Sequence, residues 1–225
     1  MADNATVLAV WSGVFQIEEP NDARKALRVS ERLSWLHQEL EILRNQMQGV
    51  GFSEELYASP LNRIEQSFST LLLQANWASC KQYLSADTLL ALAFCIEILP
   101  DEEGQIAEAD IDAIRSLIRE LSGLLSSSAL PNSLKTLIQH HIELIERALA
   151  QYPIVGAKAL REAARTALGE IIEEKDSIKE NQATEEINKL GTIWKKVNEV
   201  TDIAIKADKI AQIGQKAWAF LENLI

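Results

Sequence analysis

Apolar residues recur every three or four positions along most of the chain, which is the spacing of one face of an α-helix. The prolines fall between these periodic segments, at positions 20, 60, 100, 131 and 153, and apolar and polar residues nowhere alternate over a sustained stretch. Because a half-buried β-strand needs that alternation, the pattern predicts an all-α fold. We expect a multi-helix bundle of about seven to nine helices with a basic amphipathic helix at its C-terminal end.

The clearest periodic segment is a long second helix, which Asn21 or Asp22 caps and Gly49 and Gly51 end. Its apolar residues alternate spacings of three and four and form a heptad seam: Ala26, Val29, Leu33, Leu36, Leu40, Leu43, Met47 and Val50. A heptad seam packs along a partner helix. That partner lies in the same chain or in another chain, and we favour the same chain.

A later helix, expected to begin after Ser85, is apolar on nearly every side over residues 89–99. Since a helix that is hydrophobic all round is normally buried, we expect it to lie at the centre of the fold. The two cysteines, Cys80 and Cys95, are in apolar helical surroundings. We expect them to be buried thiols rather than a redox pair.

Composition divides the chain into three expected regions. Residues 1–175 are predicted to form a helical bundle domain, 176–188 a polar linker or helix extension, and 189–225 an amphipathic helical tail. The tail contains six lysines against four acidic residues, although the formal charge of the whole chain is −11. An acidic surface argues against binding to duplex nucleic acid, because phosphate affinity depends on clustered Lys and Arg.

The sequence indicates a cytoplasmic location. The N-terminal residues lack the cationic start and cleavage site of a secretory signal. The most apolar stretch, residues 89–99, is about half as long as the roughly 20 residues that a membrane-spanning helix needs, and it contains Glu97.

Few residues suggest metal or cofactor chemistry. His140 and His141, with Glu143 on the same helix, could offer metal ligands, but no cysteine cluster or His-Glu-x-x-His motif supplies the remaining ligands. The acidic segment 101–112 departs from the ligand spacing of an EF-hand. No phosphate-binding glycine motif or nucleophile elbow is present. We therefore expect no metal and no cofactor.

One pair of residues suggests catalysis. Arg32 and His37, separated by four residues on the second helix, resemble the Arg-x4-6-His motif of HEPN-domain ribonucleases. The resemblance implies a pair that acts on RNA in a cleft of a helical bundle or dimer. The residue after the arginine is Leu33 of the seam, where the family usually has a small polar residue. A ribonuclease or toxin that uses Arg32 and His37 is therefore our alternative function.

Two amphipathic helix faces to which the sequence assigns no definite partner favour a non-catalytic helical interaction or adaptor protein. It would bind a protein partner or itself through the heptad and tail helices, and the tail could instead dock on the bundle. Aromatic residues near cations are typical of protein or membrane contacts, so a membrane-associating effector that acts through the tail is a further alternative. The candidate partner-binding residues are Trp35, Trp194, Val197, Ile203, Ile210, Trp218 and Leu221.

Overall fold

The computed structural model describes residues 4–99 and 104–204, with the backbone alone for 202–204. Within these ranges the chain forms ten α-helices and two 3-10 turns, and no β-strand. The prediction of an all-α, multi-helix fold is confirmed. The chain divides into two compact units, residues 1–100 and residues 101–225.

The described part of the first unit contains five helices: α1 (Val7–Val14), α2 (Asp22–Gly49), α3 (Ala58–Ser67), α4 (Ala78–Lys81) and α5 (Ala86–Ile98). The 3-10 turns span Glu54–Leu56 and Thr70–Leu72. Asn21 caps α2 as expected, because its side-chain oxygen accepts a hydrogen bond from the backbone N–H of Arg24 at 3.0 Å. Beyond the last residue of α2, Gly51 adopts a φ of 76°, a conformation that favours glycine.

The heptad seam of α2 packs inside its own unit. Val29 and Leu33, in the first half of the seam, join a cluster with Trp11 of α1 and Cys80 of α4. Leu40 and Met47, in the second half, join another cluster with residues of α3 and α5. One long helix therefore supports both small cores of the first unit.

Helix α5 does not lie at the centre, contrary to the expectation from its composition. Leu92, Cys95 and Leu99 pack against the cluster that α2 and α3 share. Large apolar side chains on the rest of its circumference are exposed: Leu89, Leu90, Phe94 and Ile96. The first unit covers one side of α5, so an apolar helix is left half uncovered.

The second unit is built from α6 (Glu108–Ser126), α7 (Asn132–Val155), α8 (Lys158–Glu173), the short α9 (Lys175–Glu180) and α10 (Glu185–Ala204). Helices α6, α7, α8 and α10 contact one another in a closed ring, each touching two neighbours. Small residues on α8, Ala159, Ala163 and Ala167, are buried one turn apart and let the neighbouring helices approach closely. The ring encloses one continuous apolar core.

The division of the chain differs from the expected regions 1–175, 176–188 and 189–225. It falls between Pro100 and Asp101. The polar stretch 176–188 contributes to α9 and α10, and its apolar residues Ile178 and Ile187 are buried in the core of the second unit. Apolar contacts therefore hold in helical form much of a stretch for which composition predicted either a polar linker or a helix extension. Residues 205–225 of the expected tail lie outside the described residues.

Candidate functional site

The structure corrects the expectation that Trp35, Trp194 and Val197 form a partner-binding surface. Trp194 and Val197 lie on α10 with 2% and 0% of their surface exposed, inside the core of the second unit. Trp35 on α2 is also buried. The side chain of Ile203, like the whole of Ile210, Trp218 and Leu221, lies outside the described residues.

Two of the three lysines of α10 form ion pairs within the second unit. Lys189 forms an ion pair of 2.6 Å with Glu120, and Lys196 forms one of 2.7 Å with Asp110. Both carboxylates belong to α6. The hydrogen bond from Lys189 is the main reason that the pKa of Glu120 is lowered. The basic character of this part of the tail thus complements an acidic neighbouring helix.

A polar cluster joins α7, α8 and α10 around His141, whose side chain is fully buried. The indole Nε1–H of Trp194 donates to Nδ1 of His141 at 3.2 Å. On the other side of the ring, Nε2 of His141 lies 3.0 Å from Oε2 of Glu170, and Nε2 of His140 lies 3.1 Å from Oε1 of the same carboxylate. Glu170 therefore bridges the two histidines.

The indole fixes the protonation state of His141. An indole N–H is a donor and never an acceptor, so Nδ1 of His141 must be unprotonated and Nε2 must carry the hydrogen that Glu170 accepts. Burial is the main cause that lowers the pKa of His141 to about 4, with Glu170 opposing the shift. Neither ring nitrogen has a free lone pair for a metal. No group of three His, Cys, Asp or Glu side chains in 4–99 and 104–204 is arranged to hold a metal ion.

The structure does not bring Arg32 and His37 together. Five residues apart on α2, they are separated by roughly 140° around the helix axis. The guanidinium of Arg32 stacks over the ring of Trp35 at 4.2 Å, and burial lowers its pKa. His37 instead points to α3, where its Nε2 lies 3.1 Å from Oε1 of Glu65.

Arg44, which the sequence reading missed, is the arginine that shares a carboxylate with His37. It lies seven residues after His37 and so on the same face of α2. It donates to Oε2 of Glu65 at 2.8 Å, to Glu41 at 2.6 Å and to Asn62 at 2.9 Å. The bond from Arg44 is the main cause of the lowered pKa of Glu65. The cluster ties α2 to α3.

Arg44→Ala is expected to lower the free energy of unfolding of the first unit by about 1 kcal/mol, because three acceptors lose a donor in a partly solvated cluster. His37→Ala, with nearly half of its side chain exposed, should cost at most about 0.5 kcal/mol. Urea denaturation of the full chain, followed by hydrogen exchange in α2 and α3, measures both. Equal losses for the two variants would contradict the central role of Arg44.

The cysteines are unreactive. Cys80 is fully buried and its thiol donates to the backbone oxygen of Ser67 at 3.3 Å. Burial raises its pKa to about 11, and burial also raises the pKa of Cys95. Both thiols are unpaired and stay protonated at neutral pH, so they act as small apolar residues, as expected.

An open apolar groove of about 600 Å³ runs along α5 in the first unit. Its apolar lining is Leu56, Pro60, Leu90, Ala91, Ala93 and Phe94. Leu90 is 71% exposed and Phe94 is 43% exposed. The ring of Phe52 meets that of Phe94 edge to face, with 5.7 Å between centroids, and holds it in position. Two charged residues complete the lining: Asp87 in the first turn of α5 and Glu97 in its last turn.

The groove differs from a typical small-molecule site. A small-molecule site usually encloses its ligand and aims several convergent polar groups at it. Here the surface is open and nearly all apolar, as in grooves that accept one face of an amphipathic helix. In other proteins, large contiguous apolar patches on the surface often mark interaction sites.

The polar clusters have hydrogen-bond partners within the protein, whereas the apolar side chains of the groove are left facing solvent. Glu65 and Glu170 find their hydrogen-bond donors inside their own units. The apolar side chains of Leu90 and Phe94 remain in contact with solvent.

No helix of the described ranges is both long and apolar enough to cross a membrane. Comparison with protein-family models, with curated proteins and with solved structures finds no match for this chain.

Proposed function

We propose that this chain is a non-catalytic interaction protein that binds an apolar helical segment of a protein partner in the groove along α5. The observation that carries the proposal is the exposure of Leu90 and Phe94 beside Leu56, which is 59% exposed, on one open apolar surface. The proposal keeps the function expected from the sequence and moves its site from α2 and α10 to α5. A cytoplasmic location belongs to it, in keeping with the unpaired thiols.

The energetic reason is the apolar surface that water contacts in the free protein. Burying a large apolar side chain contributes about 1.5–3 kcal/mol, so covering Leu90 and Phe94 would supply several kcal/mol before the costs of association. Aromatic side chains at the centre of a contact commonly carry much of its binding energy. Phe94, positioned by Phe52, is the natural anchor.

The other functions have less support. A ribonuclease needs both side chains in one cleft, whereas Arg32 contacts Trp35 and His37 contacts Glu65. A membrane contact through the tail would use Trp194, which packs in the core of the second unit. The remaining tail residues of that hypothesis lie outside the described residues.

A matched pair of substitutions tests the groove. A photo-crosslinking amino acid at Ala93, which lines the groove, would first capture the partner in cells. The purified partner is then titrated with the full chain, with Leu90→Asp and with Leu71→Asp. Leu71 is 92% exposed in the same unit and does not line the groove. We expect Leu90→Asp to raise Kd at least about tenfold, the equivalent of about 1.4 kcal/mol, and Leu71→Asp to leave it within about twofold.

Both variants replace exposed side chains, so their thermal stability should match that of the unmodified chain. Equal Kd values for Leu90→Asp and the unmodified chain would contradict the proposal. A partner that Leu71→Asp weakens just as much would place the contact elsewhere. The absence of any crosslink from Ala93 would also count against the groove.

A further inference from the structure

The two charged residues of the groove are both acidic and lie near opposite ends of α5. Asp87 and Glu97 are ten residues apart, which corresponds to about 15 Å along the helix axis. Leu90 and Phe94 lie between them on the same side of α5. Neither carboxylate has an ion-pair partner among residues 4–99. Glu54 and Glu55, exposed beside Leu56, add further negative charge near the groove.

We propose that the occupant of the groove is an amphipathic helix of a second protein, with a Lys or Arg at each end of its apolar strip, about ten residues apart. This inference rests on the proposed function. A helix lying along α5 places residues ten apart at the same 15 Å spacing as Asp87 and Glu97. Charges at the rim of a contact fix its register and disfavour partners that place like charges opposite them.

The same charges disfavour other occupants. A second copy of this chain that docked by its own α5 would place Asp87 and Glu97 against the same two carboxylates, and like charges facing each other cost free energy. An anionic lipid surface would meet the same repulsion. A neutral apolar helix would fill the groove but would bring no cationic partner to Asp87 or Glu97. The carboxylates therefore select a cationic helix.

Two synthetic peptides of about 20 residues test this charge pattern. Both are alanine-rich helices with leucines on one face. One carries two lysines about ten residues apart at the ends of the leucine strip, and the other carries two glutamates there. Each is titrated into the full chain and into the double variant Asp87→Asn, Glu97→Gln, at low and at high salt.

We expect the lysine peptide to bind the full chain at least about tenfold more tightly than the glutamate peptide at low salt. The preference should shrink to within about twofold in the double variant, and it should weaken at high salt because exposed charges are screened. The melting temperature of the double variant is measured alongside, since Asp87 also lies in the first turn of α5, where an acidic residue stabilises the helix.

The outcomes separate this inference from the proposed function. Equal binding of both peptides would overturn the cationic partner and leave the groove as a contact site. Failure of both peptides to bind would contradict the groove itself. A chain that ends after Ala204 provides one more comparison, because residues 205–225 contain Lys206 and Lys216, also ten apart. Tighter peptide binding by that shorter chain would make this segment the occupant and overturn the second protein.

Discussion

Replacing Trp194 with alanine is expected to lower the free energy of unfolding of the second unit by about 3–5 kcal/mol. Trp194 is among the largest fully buried side chains of the core that α6, α7, α8 and α10 enclose. Its removal leaves a cavity and also takes the hydrogen-bond donor from Nδ1 of His141. Urea denaturation of the full chain, with hydrogen exchange of the amides of α7 and α10 as the readout, measures the loss in this unit.

Trp194→Phe separates the two contributions. Phenylalanine keeps a ring in the core, so the remaining loss of about 1–3 kcal/mol reports mainly the unpaired acceptor of His141. A loss below about 1 kcal/mol for Trp194→Ala would show that the residue is not a core residue. It would instead restore the sequence-based expectation that Trp194 anchors a partner.

The sequence predicted which helix faces are apolar, but it did not predict what covers each of them. The seam of α2 is buried or half-buried as far as Met47, with Val50 exposed beyond the end of the helix, and the apolar positions of α10 from Ile187 to Val200 are buried. Periodicity says nothing about the neighbour, so the tail could not be assigned to the bundle or to a partner. The pairing of Lys189 with Glu120 and of Lys196 with Asp110 connects positions more than sixty residues apart, beyond any local pattern.

Helix α5 shows that an apolar composition does not ensure burial. Its composition predicts burial, because nearly every position between Leu89 and Leu99 is apolar. Whether a helix is covered depends on how many neighbouring helices its own unit contains. In the first unit, the apolar contacts of α5 lie on one side of the helix. An excess of apolar surface beyond what the unit can cover is itself a signal for a contact site.

The polar clusters around Glu65 and His141 could be predicted in part. The spacing of His37 and Arg44 on α2 indicates a shared face, so helical geometry alone could have found that pair. Their common acceptor, Glu65, lies on α3 and could not have been found in this way. The same holds for Glu170, which meets His141 across a helix pair, whereas the sequence suggested Glu143 from the same helix. Tertiary contacts set these partners.

The free energy of unfolding of the second unit is expected to fall by about 3 kcal/mol as the pH decreases from 6.5 to about 4. In the unfolded chain His141 has its ordinary pKa of 6.5, and in the folded protein burial lowers the pKa to about 4. Between these values the unfolded chain binds a proton that the folded protein does not. Unfolding is therefore favoured as the pH falls, by up to about 1.4 kcal/mol for each pH unit.

The physical cause lies in the hydrogen bonds of the ring. Protonation would place a hydrogen on Nδ1, directly against the indole N–H of Trp194 at 3.2 Å. Two titratable groups are close to the ring: Glu170, which favours the protonated form, and His140, which opposes it. Burial outweighs the attraction of Glu170, so the neutral form is retained.

Two glutamine variants isolate the contribution of His141. A glutamine at this position has an amide oxygen that can accept from Trp194 and an amide N–H that can donate to Glu170, but it does not titrate. We expect His141→Gln to lose the extra pH dependence between 6.5 and about 4, as measured by urea denaturation at several pH values. His140→Gln is the matched control, because half of this side chain is exposed and it should retain the dependence. Parallel pH profiles for His141→Gln and the unmodified chain would show that another group, and not this imidazole, controls the acid sensitivity of the second unit.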